Sequence, residues 1–183
     1  MEDIVLSKLR ITITGGAGFI GSNLAHRLLA QGHELTVFDN LSRSGGGQNL
    51  KWLEEQHGAG SFRTVEGELA DFEAVKRACA GAQRIYHLAG QVAVTTSVTN
   101  PRQDFESNAL GTFNVLEAAR LVADSPVLLY ASTNKVYGGM EEVRVIEGEQ
   151  RFCYADFAYG IPETQTLDFH SPYGCSKGAG DQY

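Results

Sequence analysis

The segment Ile11-Thr-Ile-Thr-Gly15-Gly-Ala-Gly18-Phe-Ile-Gly21 constrains this chain more than any other, because an apolar run ends in four glycines within seven residues and a helical pattern follows. A strand that enters a helix through a turn without side chains is the context in which a glycine pattern carries meaning. Gly16, Gly18 and Gly21 fit GxGxxG, and Gly15, Gly18 and Gly21 fit the related GxxGxxG. Either spacing lets backbone approach a pyrophosphate at the helix N-terminus, where the free amides, here beside Phe19 and Ile20, and the helix dipole favour an anion.

Five short runs rich in β-branched, leucine and aromatic residues recur along the chain: Leu9 to Thr14, Glu34 to Phe38, Phe62 to Glu66, Arg84 to Leu88, and Val127 to Ser132. Between them, helical patterns run from Gly18 to Gln31, around Gln48 to Gln56, from Phe72 to Cys79 and from Pro101 to Ala123. In the last, Phe105, Leu110, Phe113 and Leu116 are expected to share the packed face. This alternation predicts an α/β fold with a doubly wound parallel sheet. Residues 138–172 show neither period and read as a long loop, of a length that is usually functional or mobile, while Ser171 to Tyr183 begins like a helix with Pro172 in its first turn.

Asp39 stands eighteen residues after Gly21 at the end of the second strand. A carboxylate there accepts hydrogen bonds from an adenosine ribose and repels a 2′-phosphate, which favours NAD over NADP; capping a turn before Asn40 is the alternative use. The run Tyr86-His-Leu-Ala-Gly90 ends the fourth strand in small residues that can face the adenosine and ribose, and His87 is expected to be packed rather than catalytic.

Redox chemistry at a carbinol carbon also needs a base at the hydroxyl oxygen. In Tyr173-Gly-Cys-Ser-Lys177 the phenol and ammonium are four residues apart, on one helix face, so the positive charge can stabilise a phenolate. The fifth strand ends in Ala131-Ser132-Thr133, at the edge where parallel sheets bind ligands, and Thr133 is assigned as the donor that orients the substrate oxygen. Strand parity leaves Ser132 as the other candidate. Cys175, about 200° round the helix from Tyr173, is expected to pack.

Composition narrows the function classes. With 15 basic and 22 acidic residues in 183, the net charge is -7; no basic run exceeds two residues, which argues against nucleic-acid and anionic-membrane partners. Cys79, Cys153 and Cys175 fit neither a zinc site nor a disulfide framework, so no metal is expected and the thiols read as reduced. No apolar run is long enough for a membrane span, and with Glu2 and Asp3 at the N-terminus a cytoplasmic location is expected.

The motifs Thr14-Gly-Gly-Ala-Gly-Phe-Ile-Gly21, Asp39-Asn-Leu41, His87-Leu-Ala-Gly90, Asn108 with Gly111-Thr112 and Asn114, Val136-Tyr-Gly138 and Tyr173 to Lys177 occur in one order. In that order the chain resembles the extended short-chain dehydrogenase/reductase family, from its first strand to its last residue. The resemblance implies a Rossmann NAD-binding fold, with Thr133, Tyr173 and Lys177 as hydroxyl donor, base and lysine. It also implies cofactor contacts at Gly15, Gly18, Phe19, Ile20, Gly21, Asp39, Asn40, Ser42, Arg43, Glu68, Leu69, Leu88, Ala89, Gly90, Gln91, Asn108, Ser132, Tyr173 and Lys177. Glu68 replaces the aspartate that the family usually places near the adenine. Substrate contacts are implied at Gln91, Thr95, Thr96, Thr133 and Asn134.

The strings Phe38-Asp-Asn-Leu-Ser-Arg43, Leu88 to Ser97, Ser132 to Gly138 and Leu167 to Gly178 narrow the resemblance to epimerases of nucleotide-activated deoxysugars. These oxidise a sugar hydroxyl with NAD, let the keto sugar turn, and return the hydride to its other face, at carbon 2. Nucleotide-sugar 4,6-dehydratases are similar but carry acids after the strand-end threonine, where this chain has Asn134 and Lys135. A UDP-hexose 4-epimerase, such a dehydratase and a non-catalytic NAD-binding sensor are the alternatives. Members of the family are longer than this chain. Residues 1–183 are therefore expected to be an incomplete N-terminal NAD-binding domain, inactive alone, cut before its last strands and the C-terminal sugar-nucleotide domain, and homo-oligomeric at full length.

Overall fold

The computed structural model describes residues 7–122 and 125–183. Five strands, β1 (Arg10–Thr14), β2 (Glu34–Asp39), β3 (Arg63–Glu66), β4 (Arg84–His87) and β5 (Val127–Tyr130), form a parallel sheet in the order β3-β2-β1-β4-β5. Ile11 is in register with Leu35 and Ile13 with Val37. These four, all buried, form one core cluster with Leu28 of helix α1 (Phe19–Ala30) and Leu53 of α2 (Gly46–His57). The other sheet face packs Phe38, Val65 and Ile85 against Val75 of α3 (Phe72–Cys79) and Val115 of α6 (Gly111–Val122). Helices thus cover both faces, as the near-continuous apolar runs of buried parallel strands require. The fold is the doubly wound sheet expected from the sequence, and the order reverses between β1 and β4, where such sheets bind ligands.

Local chemistry sets the helix ends. Asp71 caps α3 by accepting the Ala74 N–H at 3.1 Å, and its buried stripe is Ala74, Val75, Ala78 and Cys79. Burial pushes the Cys79 thiol up to about 12, which keeps it protonated. Asn100 and Pro101 start α5 (Pro101–Phe105), with the Asn100 side chain accepting the Gln103 N–H. Ser171 caps α7 (Pro172–Gln182) by accepting the Gly174 N–H at 3.0 Å.

Several expectations change. The helix expected over Pro101 to Ala123 is interrupted by a π-helical turn at Glu106–Leu110; Ala123 lies outside the described residues. Such a turn inserts a residue and rotates everything beyond it by roughly 100°. The expected packed face is also corrected: Phe105 and Phe113 are exposed and Leu110 and Leu116 half-buried, whereas Asp104, Asn108, Ala109, Val115 and Ala118 are buried. The stretch 138–172 carries a small antiparallel hairpin, β6 (Val145–Glu147) with β7 (Phe152–Tyr154), and Val94–Thr99 forms an unexpected helix, α4. Cys175 is exposed, its Sγ 3.8 Å from the Phe169 carbonyl, rather than packed. Among the described residues no helix is long and apolar enough to cross a membrane.

Ile13, wholly buried on β1, provides a test of this core. Ile13→Ala is expected to destabilise the protein by roughly 3 kcal/mol and lower the melting midpoint by about 9 °C. Glu55→Ala, which breaks only the exposed 3.9 Å pair with Lys51, should change stability by less than about 0.5 kcal/mol. Calorimetry of the two variants checks both values.

Candidate active site

The glycine turn occupies the switch point. Gly15 has φ 72, a conformation that favours glycine, and a Cβ there would lie 2.7 Å from the Ala89 nitrogen. A Cβ on Gly21 would run into the Gly15 carbonyl oxygen and lie 2.6 Å from Gly16 Cα. The missing side chains therefore let β1, β4 and the first turn of α1 close on one another. The Gly15 N–H donates to Phe38 O at 2.7 Å, tying the turn to β2. Gly18 begins α1 without a side-chain cap, so the amides of the first turn stay open, and the Phe19 and Ile20 side chains are 83% and 67% exposed. This cradle suits a pyrophosphate.

Asp39 ends β2 beside the cradle. Its Oδ2 accepts the Ala17 N–H at 3.0 Å and its Oδ1 the Leu41 N–H at 2.9 Å. The second contact holds Leu41 at φ 54, a conformation uncommon for a branched side chain. Asp39 thus braces the turn, and each carboxylate oxygen has acceptor capacity left for a ribose hydroxyl. Next to it the Asn40 amide donates to both Glu68 oxygens at 3.0 Å, while Asn40 Oδ1 accepts the Ser42 N–H and hydroxyl. Ser42, Arg43 and Glu68 are exposed; Leu69 is buried, and its carbonyl accepts from Asn114.

Behind the β4 end, the His87 ring bridges the Thr14 hydroxyl at 2.7 Å and the Thr112 hydroxyl at 3.0 Å. Burial first, then the Lys177 charge, pushes its pKa down to about 3. A neutral, fully bonded imidazole in the core is a packing residue, as expected. Leu88, Ala89 and Gly90 are half-buried beyond it. Gln91 differs from expectation: its side-chain amide accepts the Ala93 N–H at 2.6 Å and donates to Ala93 O at 2.7 Å, closing its own turn. Asn108, expected at the cofactor, is 1% exposed and grips the Gln91 backbone from behind, so its side chain is a support. Thr95 and Thr96 are exposed on α4.

Helix α7 brings Tyr173 and Lys177 to the carboxyl edge of the sheet. Ser97 of α4 accepts the Tyr173 N–H at 3.1 Å, and the Lys177 ammonium donates to the Ala131 carbonyl at 2.6 Å just beyond β5. Lys177 Nζ also sits 4.1 Å from the centre of the Tyr130 ring, whose hydroxyl donates back to the Lys177 carbonyl at 3.1 Å. The ring stacks on His87. Burial raises the Tyr130 phenol to about 12, so it remains a donor. β5 ends at Tyr130, two residues short of expectation. Ser132 and Thr133 follow outside the strand, with Thr133 extended, the Ser132 hydroxyl donating to the Asp181 carboxylate and Thr133 Oγ1 accepting the Lys135 N–H at 3.2 Å. Asn134 starts the next short helical turn, exposed.

The pattern left Ser97, Asp104, Tyr130, Ser176 and Asp181 unread; only Asp104, one turn before Asn108 and facing the same way, carried a readable signal. A depression elsewhere, bordered by Arg10, Glu34, Thr36 and Phe62, opens at the amino edge of the sheet and holds none of these residues.

A parallel sheet in this order, with a glycine turn at its switch point and a tyrosine and lysine one helical turn apart, defines a dinucleotide-binding protein of the short-chain dehydrogenase/reductase class. Residues 12–183 match the family described as GDP-mannose 4,6 dehydratase. Over 177 residues the chain is 49% identical to CDP-paratose 2-epimerase of Salmonella typhi, covering 96% of this chain and 52% of that protein. The fold superposes on the UDP-Glc/GlcNAc 4-epimerase of Campylobacter jejuni with a TM-score of 0.76 at 28% identity, over 95% of this chain and 47% of the other. With the UDP-glucose 4-epimerase of Thermus thermophilus, solved in complex with NAD, the TM-score is 0.71 at 35% identity, over 96% and 49% of the two chains. The chain belongs to the GDP-mannose 4,6-dehydratase family, within the extended short-chain dehydrogenases/reductases. It spans about half the length of the curated relatives it matches.

The electrostatics of Lys177 give a direct test. Burial lowers its pKa to about 8, against the opposing pull of the Asp181 and Asp104 carboxylates. Between pH 8 and 10.5 the unfolded chain holds a proton that the folded chain has released. The Lys177 contribution to stability therefore rises with pH across that window, and the full penalty of burying the ammonium applies below about pH 8. NMR of the Lys177 ε-carbon should show a midpoint near 8; a midpoint at the ordinary lysine value of 10.5 would contradict the burial argument.

Proposed function

We propose that this chain is the NAD-binding part of an epimerase that inverts carbon 2 of CDP-paratose to give CDP-tyvelose. The observation that carries the reading is α7. It holds Tyr173 and Lys177 on one face, fastened to the end of β5, in the same crevice as the glycine cradle and Asp39. The cradle fits a dinucleotide: Gly15 and Gly21 let the turn and α1 close on one another, the open Phe19 and Ile20 amides would meet a pyrophosphate's charge, and Asp39 would accept from a ribose and repel a 2′-phosphate. When bound, NAD supplies a hydride acceptor that can return what it takes.

The chain's own residues handle the proton. Tyr173 takes the sugar hydroxyl proton as the carbinol hydrogen leaves, and gives a proton back when the carbonyl is reduced from its other face. At neutral pH Lys177 is below its pKa of about 8 and carries the charge that stabilises the phenolate. The Ala131 carbonyl accepts only one of its three N–H groups, which leaves two for the phenol and a cofactor ribose. Thr133 Oγ1 has a free donor hydrogen for the substrate oxygen, since its recorded contact uses it as an acceptor.

The 49% identity to the Salmonella typhi enzyme supports the choice of CDP-paratose. Asn134 and Lys135 supply no elimination acid where a dehydratase would need one, which supports epimerisation over loss of water.

Incubation of the full-length protein with NAD and CDP-paratose should give inversion at carbon 2, followed by NMR. Turnover of a UDP-hexose with no inversion of CDP-paratose would replace the substrate assignment, and formation of a 4-keto-6-deoxy sugar would replace the reaction. Tyr173→Phe should bind NAD as wild type does and lose at least about 10²-fold in kcat. Unchanged turnover by that variant would remove the tyrosine from the mechanism.

A further inference from the structure

A carboxylate at a helix position that faces the interior needs an explanation, because burying it is unfavourable unless hydrogen bonds replace its water. Asp104 is such a group. It lies on α5 with 1% exposure, and both oxygens are taken: Oδ2 accepts the Ser176 hydroxyl at 2.6 Å and Oδ1 the Asn108 amide at 3.1 Å.

Its two partners lead to opposite halves of the active site. Asn108 Oδ1 accepts the Gln91 N–H at 3.0 Å and its Nδ2 donates to Gln91 O at 3.2 Å, so both polar groups of that residue's backbone are held by one side chain. The Asn108 amide also approaches Ser176 at 3.3 Å. Gln91 ends the small-residue loop that leaves β4 at the switch point, and a Cβ on neighbouring Gly90 would lie 2.6 Å from Asn108 Oδ1, so that loop lies directly on the amide. Ser176 sits on α7 between Tyr173 and Lys177 and also contacts the Tyr173 carbonyl at 3.2 Å.

We propose that Asp104 is a positioning residue: through Asn108 it fixes the cofactor-facing Gly90–Gln91 loop, through Ser176 it fixes the helix that carries Tyr173 and Lys177, and it thereby locks the two in one relative placement. An acceptor-only carboxylate suits this better than an amide, because both neighbours present donors to it. Asn108 lies one helical turn after Asp104, on the same buried side, within the π-helical turn at Glu106–Leu110, and π turns recur at functional sites. The negative charge of Asp104 also favours the ammonium form of Lys177.

The proposal rests on the reading of the crevice as an NAD site, and two variants in the full-length protein separate the claims. Asp104→Asn replaces one acceptor oxygen with a donor and removes the charge, so the charge-assisted bond from the Ser176 hydroxyl is lost. Amide hydrogen exchange at Gln91 should accelerate about tenfold, and NAD affinity should fall about tenfold, with the KM for sugar nucleotide changed less than about twofold. Ser176→Ala leaves Asp104 in place and removes one donor on α7, and Gln91 exchange, which Ser176 does not touch directly, should still accelerate about threefold. Combining the two should give less than the product of the single effects.

Unchanged Gln91 exchange in Ser176→Ala would overturn the coupling, whether or not Asp104→Asn folds. Faster exchange with unchanged NAD affinity would reduce Asp104 to a structural hydrogen bond and also overturn the proposal. If wild type binds no NAD at all, the cofactor reading fails instead, and Gln91 exchange still decides whether Asp104 links loop to helix.

Discussion

The structure depends on backbone-to-backbone closeness at the glycine turn. With no side chain at Gly15 or Gly21, the turn after β1 lies against Ala89 beyond β4, and α1 starts directly over the Gly15 carbonyl. The Gly15 N–H bond to Phe38 O and the Asp39 bond to the Ala17 N–H bring in β2. Three strand ends and a helix start therefore meet within a few ångströms of one another. That convergence makes the crevice narrow, leaves the first-turn amides of α1 unspent, and fixes where a dinucleotide's charge can rest.

The proposed catalytic pair, Tyr173 and Lys177, is hung from the far side of the same crevice. α7 is attached along its length: the Ser97 hydroxyl takes the Tyr173 N–H, the Ser176 hydroxyl reaches Asp104, the Lys177 ammonium reaches Ala131 O, the Tyr130 hydroxyl reaches Lys177 O, and the Ser132 hydroxyl reaches Asp181. The lysine serves both as a strut and as a charge. Burial weakens its hold on the proton, while the aromatic face of Tyr130 and the carboxylates of Asp104 and Asp181 favour the charged form. The result is an amine with its pKa lowered to about 8, one helical turn from the phenol proposed as the base.

The legible parts of the sequence were those where local physics and tertiary structure agree. Apolar runs between crossover helices were enough for the five strands and their doubly wound arrangement, and the stripe in Phe72–Cys79 gave that helix to the residue. The glycine turn, Asp39 at a strand end and the Tyr173–Lys177 spacing were legible because backbone sterics and helix geometry dictate them. The illegible parts depend on phase or on distant partners. A π turn interrupts the pattern after Phe105; Phe105 and Phe113, read as core, lie at the surface, while the polar Asp104 and Asn108 lie inside. Thr133 and Ser132 leave the strand early, and their orientation follows from contacts to Lys135 and Asp181. Asn108 and Gln91 were placed at the cofactor by resemblance, but hydrogen bonds to each other and to Ala93 occupy their side chains, which no spacing rule expresses.

The central claim, that one crevice holds both the dinucleotide and the tyrosine–lysine pair, is tested most directly by a crystal structure of the full-length protein soaked with NAD. The account predicts pyrophosphate oxygens within hydrogen-bond distance of the Phe19 and Ile20 amides, a ribose on Asp39, and the nicotinamide end beside Tyr173 and Lys177. Density for the dinucleotide elsewhere, or with its nicotinamide end away from α7, would contradict it.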